Sequence, residues 1–85
     1  MNEISVYNSI SVFPDPVITK TTFSLRSEVR NALLKIYDVN GREAKQISFS
    51  GMQVIFDRGN IESGIYFYQI VSENKNIATG KLVIQ

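Results

Sequence analysis

The chain has no cysteine, no histidine and no tryptophan among its 85 residues. The first absence removes disulfides and thiolate nucleophiles. The second, added to it, removes the usual structural zinc sites and the side chain best suited to proton transfer near neutral pH. A histidine-based hydrolase triad therefore cannot be assembled, and no metal or cofactor is expected. Long apolar runs are also missing: nothing approaches the ~20 residues of a membrane-spanning helix, and Met1-Asn2-Glu3 does not open a signal peptide. The expectation is a cytosolic domain or a piece of a longer exported protein. Neither sign of charge dominates, with nine Lys and Arg against eight Asp and Glu for a net of +1. The signs are interspersed, so there is no basic stripe for nucleic acid and no acidic tail.

Alanine and leucine are scarce too, seven residues together, whereas Ile, Val and Thr supply 23 of 85. That balance favours half-buried pleated surfaces over helices, and what recurs is alternation, not a 3.6-residue period. Ile4, Val6, Ile10 and Val12 alternate first, then Thr21, Phe23 and Leu25. Between them Pro14-Asp15-Pro16 removes two backbone donors and must stop a ladder. Ala32, Leu34 and Ile36 share the face of a next strand that runs into Asn40-Gly41, read as a type I′ hairpin turn. The return is Arg42 to Phe49. Ser50-Gly51 reads as a second tight connection into Met52 to Phe56, with Met52, Val54 and Phe56 on one face.

After the polar break Asp57-Arg58-Gly59-Asn60, the segment Ile65 to Val71 is apolar or aromatic almost throughout, which predicts a central strand covered on both faces. Glu73 to Asn76 forms a turn, and Ile77 to Ile84 a last strand. About seven short antiparallel strands in a chain of this size predict one all-β domain over residues 1–85, a small two-sheet sandwich. Residues 1–10 are read as partly linker.

Four groups of residues, in order along the chain, are similar to a known family. Ser11-Val12-Phe13-Pro14-Asp15-Pro16 resembles an opening S-V-Y-P-N-P motif, Ile36-Tyr37-Asp38-Val39-Asn40-Gly41-Arg42-Glu43 a central I-Y-D-x-x-G-R-E hairpin, Ile61-Glu62-Ser63-Gly64-Ile65-Tyr66-Phe67-Tyr68 an L-x-x-G-I-Y-x-Y segment, and Gly80-Lys81-Leu82-Val83-Ile84-Gln85 a terminal G-K-L-V-I/V-x signature. The family is the type A C-terminal sorting domain of type IX secretion cargo in Bacteroidetes-type bacteria. Phe13, Asp15 and Ile61 replace Tyr, Asn and Leu with little change of size or turn chemistry.

The resemblance implies an immunoglobulin-like β-sandwich that acts in transport and is not an enzyme. It implies a preceding cargo domain, transit through the periplasm, recognition by the outer-membrane translocon and its shuttle proteins, and cutting by a sortase-like cysteine peptidase. The cargo would then be released, or held at the surface on lipopolysaccharide. The candidate recognition residues are Gly80, Lys81, Leu82, Val83, Ile84 and Gln85, with Arg42 either reaching a partner or pairing with Asp38. Pro14, Asp15, Pro16, Asn40, Gly41, Gly64 and Tyr66 are read as structural.

In the last strand, Leu82 and Ile84 should point inward and Lys81 and Val83 outward. A charged lysine guards an edge strand against unwanted pairing, and an edge also accepts an added strand from a receptor or a second copy of the chain. The alternatives are an adhesion or carbohydrate-binding module that stacks sugars on Tyr66, Phe67 and Tyr68, and a structural spacer of fibronectin type. Asp57 and Glu62 have the composition of a glycosidase pair, but nothing in the sequence fixes their separation or builds a cleft.

Overall fold

Side-chain burial alternates along two stretches where the sequence alternates. Thr21, Phe23 and Leu25 are buried, and so are Ala32, Leu34 and Ile36, but the first set is odd-numbered and the second even. One strand carries both. The computed structural model describes residues 10–85, so the alternation of Ile4 and Val6 lies outside the described residues. Within them the regular elements are β1 (Ile10–Phe13), β2 (Lys20–Tyr37), β3 (Glu43–Asp57), β4 (Gly64–Ser72) and β5 (Lys75–Ile84). The strands follow the order β1-β2-β4-β5 with β3 on β2, and every pair of them is antiparallel.

Among the described residues the strand count is five where the pattern suggested about seven, because β2 and β3 each continue through a break in the alternation. β2 is 18 residues long, and its pairing with β3 shifts register between Ser24 and Val29 and again between Val29 and Ala32. Extra residues in one strand change which face the following side chains occupy and sharpen the bend. Ser50-Gly51 is accordingly not a turn between strands. Gly51 stands opposite Val29 inside β3, at φ 110°, an angle that strongly favours glycine. Nearby, the Asn31 amide donates to Ser50 Oγ at 3.2 Å.

The bends divide the sheet into two facing layers. The front half of β2 pairs with β1 and with the end of β3, and the back half with the start of β3 and with β4. Phe23 comes from the front half and Tyr68 from β4. Their rings meet edge-on, centroids 5.0 Å apart at 74°, which shows the layers packed over one core. Around that pair lie Leu34, Ile36, Phe56, Ile70, Leu82 and Ile84, all essentially inaccessible. Val54 joins them, but Met52 does not and stays exposed.

Two further expectations are corrected. In the β2–β3 hairpin the Gly41 amide donates to the Asp38 carbonyl at 3.0 Å and the Asp38 amide to the Arg42 carbonyl at 2.9 Å. Gly41 has φ 83°, while Asn40 is not among the positive-φ residues. The connection is thus a three-residue loop with its single left-handed residue at Gly41, not a two-residue type I′ turn. The two-residue turn with both φ positive lies between β4 and β5, at Glu73 (52°) and Asn74 (67°). In β4, Tyr66, Tyr68 and Ile70 are buried, but Ile65 and Phe67 are 47% and 44% exposed. It is an interior strand of the sheet with one open face.

Candidate recognition site

β5 ends the strand order, and its side chains divide by face. Leu82 and Ile84 are buried in the core, Lys81 is exposed and Val83 half-buried. Its outer edge is only partly bare. Val17 forms a parallel bridge with Ile84: the Val17 amide donates to the Val83 carbonyl and the Gln85 amide to the Val17 carbonyl, each at 2.8 Å. One residue pair earlier, the Val83 amide donates to Asp15 Oδ1 at 3.4 Å. Pro14, Asp15, Pro16 and Val17 therefore lie along the last residues of β5. Thr21 Oγ1 fixes this strap by donating to the Pro14 carbonyl at 2.6 Å. Lys81 has the same outward backbone phase as Val83, and among the described residues no strand pairs with it there.

On the inner side of the strand Gly80 is paired with Tyr68, and the phenol ring occupies the space where a side chain would stand. A Cβ on Gly80 would lie 2.5 Å from Tyr68 Cζ and 2.7 Å from Cε2. Burial raises the Tyr68 hydroxyl above its ordinary value of 10.0, and the Asp15 carboxylate adds to the shift. The register continues with Tyr66 opposite Leu82 and Gly64 opposite Ile84. Gly64 adopts φ 153°, and the Tyr66 hydroxyl donates to the Glu62 carbonyl at 2.8 Å.

Beyond β4 the hairpin strand is aligned at the same level, since Tyr37 opposes Phe67 and Phe67 opposes Lys81. Its loop is closed by Asp38, whose Oδ1 accepts the amides of Asn40 and Arg42, both at 2.9 Å. The Arg42 amide, with smaller help from Asn40 and the Arg42 charge, holds the Asp38 carboxyl below its ordinary value of 3.8 against a smaller opposing effect of desolvation. Arg42 Nε lies 3.5 Å from Asp38 Oδ2, yet the arginine side chain is 80% exposed. Such an exposed pair adds little to stability.

Residues 11–85 match the family described as the secretion system C-terminal sorting domain. The chain belongs to that family. It carries a type IX secretion sorting signal, which directs export to the cell surface or the medium. The sorting domain is also similar to an endo-acting ulvan lyase of Formosa agariphila, 29% identical over 79 residues. That match covers 92% of the chain but 15% of the lyase.

In the sorting domain all four motifs meet at one end of the sheet. The opening motif straps the edge of β5, the glycine-tyrosine segment forms the β4 partner of β5, and the hairpin strand lies on the other side of β4. The three aromatic residues proposed as a sugar platform are not brought together: Tyr66 and Tyr68 enter the core while Phe67 faces outward. Asp57 and Glu62 take part in local hydrogen bonds. Asp57 Oδ1 accepts the Gly59 amide at 2.9 Å, and Glu62 lends its carbonyl to Tyr66.

Sequence reasoning missed Arg58 of the sorting domain, which bonds to three separate segments. Its setting, Asp-Arg-Gly-Asn, reads only as a polar break between strands. Apart from Ser63 Oγ, the partners are main-chain oxygens, which no side-chain pattern reveals.

Proposed function

We propose that the domain is the non-enzymatic sorting signal of a larger cargo protein, read after passage into the periplasm by the type IX outer-membrane translocon and its shuttle proteins. A sortase-like cysteine peptidase then cuts ahead of it, and the cargo is released or joined to an anionic lipopolysaccharide. The recognition element is Gly80 to Gln85, with Arg42 as an accessory contact from the hairpin. The observation that carries this reading is the gathering of all four family motifs around β5. The relative named an endo-acting ulvan lyase supports an enzyme as the kind of cargo.

The lysine on the open edge supports a receptor strand adding at Lys81, where backbone bonds give affinity and alternate side chains give specificity. Next to it, Val83 is already engaged by Asp15 and Val17. A second copy of the chain adding at the same edge is the competing occupant. The carbohydrate-binding alternative loses support from the burial of Tyr66 and Tyr68.

The test is a fluorescent reporter with a signal peptide in front and this chain behind, expressed in a host with the type IX translocon and in one lacking it. Fluorescence at the surface or in the medium of the first host alone is the expected result. Periplasmic retention of a folded fusion in both hosts would overturn the proposal.

A further inference from the structure

Arg58 sits half-buried in the loop after β3, and its guanidinium is fully engaged. Nη1 donates to the Ile18 carbonyl at 3.0 Å and to the Gln85 main-chain oxygen. Nη2 donates to the Ile61 carbonyl at 2.8 Å and to Ser63 Oγ at 3.3 Å, and Nε to the same Ile61 carbonyl at 3.2 Å. Its own amide donates to the Thr19 carbonyl at 3.0 Å, and its carbonyl accepts the Ile61 amide at 2.9 Å. One side chain thus joins the strap before β2, the loop before β4 and the last residue of the terminal segment.

An arginine suits this position because its planar fork presents five donors in fixed directions, whereas a lysine offers a single mobile point charge. Among the described residues Gln85 has one other tether, the bond from its amide to the Val17 carbonyl. The end of an edge strand held by a single backbone bond opens readily. With Arg58 in place, opening at Gln85 also requires breaking the guanidinium contact that leads back to Ile18, one residue beyond Val17.

We propose that Arg58 is a positioning residue for the recognition element, locking Gln85 and the Val17 strap together so that Gly80 to Gln85 is presented in one register. This rests on the sorting reading above. A residue that only supported the fold would change export in proportion to global stability. A positioning residue changes export while the core stays closed.

The experiment combines amide hydrogen exchange on the 85-residue chain with export of the reporter fusion, for the wild type, Arg58→Ala and Arg58→Lys. Loss of the contact should accelerate exchange at Val83 and Gln85 about tenfold or more in both variants, with Leu34 and Ile70 following global stability alone. Export should fall in both, because lysine restores the charge but not the fork. Unchanged exchange at Gln85 in Arg58→Ala overturns the proposal, as does normal export despite fast exchange there. It also fails if Arg58→Lys regains thermal stability and export together while Gln85 stays unprotected. A wild-type fusion that is not exported sinks the sorting reading and the use assigned to Arg58 with it, an outcome distinct from equal export of wild type and variant.

Discussion

The Tyr68 ring lies across Gly80 on the neighbouring strand, so tightly that a methyl group on Gly80 would overlap the phenol carbons. A glycine in an edge strand leaves bare backbone, and an aromatic ring laid over it from the partner strand restores buried area. The motif glycine is thereby explained from the inside of the sheet, without a receptor.

Gly80→Ala should cost about 2–3 kcal/mol, the penalty of overpacking a filled site, since the ring cannot retreat without displacing its edge contact with Phe23. Urea unfolding of Gly80→Ala, Tyr68→Ala and the double variant measures it. The two effects should be strongly non-additive, with the alanine at residue 80 costing much less once the ring is gone.

The raised Tyr68 hydroxyl predicts an alkaline limit. The neutral phenol is favoured in the folded state, so its contribution is complete below the unfolded value near pH 10 and disappears as pH climbs through the higher folded value. Urea midpoints at about pH 9 and about pH 11 should drop more for the wild type than for Tyr68→Phe, which cannot ionise.

Asp38 predicts the opposite limit. Its carboxyl is held below 3.8, so its contribution is present above that value and is lost as pH falls through the lower folded value. Between about pH 5 and about pH 2, Asp38→Asn should lose less stability than the wild type, because the amide oxygen keeps the two backbone bonds but never titrates.

The hairpin geometry separates two neighbouring glycine-like positions. Gly41→Ala should destabilise by about 1–2 kcal/mol, as a side chain in a left-handed conformation does. Asn40→Ala should change stability by less than about 0.5 kcal/mol, because Asn40 is exposed and has no left-handed angle to maintain. Equal large losses at both, by thermal unfolding, would restore the type I′ turn.

Lys81→Glu reverses an exposed charge at the open edge and should leave the unfolding midpoint within about 0.5 kcal/mol of wild type. Export of the reporter should fall. Normal export would remove Lys81 from the recognition element.

The sequence showed its strands wherever one face is buried and the other wet, as at Thr21, Phe23 and Leu25. It could not show that β2 continues from Leu25 to Ala32. Exposed Arg26, Ser27 and Glu28 interrupt the alternation, and a bulge erases the period that a strand is recognised by while leaving the backbone extended. The Asn-Gly pair pointed to the right hairpin but the wrong turn, because a left-handed glycine serves both loop types and only the bond from Gly41 to Asp38 tells them apart. The terminal motif was legible as an inward and outward stripe. The strap that shields its end was not, since Val17 joins it through main-chain atoms and Asp15 by accepting a main-chain amide, both across most of the chain.

That last bond has a consequence for assembly. Val83 and Asp15 are 68 positions apart in sequence, so the two ends of the domain must find each other after everything between them is made. Contacts of such long range are slow to form, and here they need β5. Until β5 is made the strap has no edge to lie on and the core lacks Leu82 and Ile84, so the fold closes in one late step that joins both.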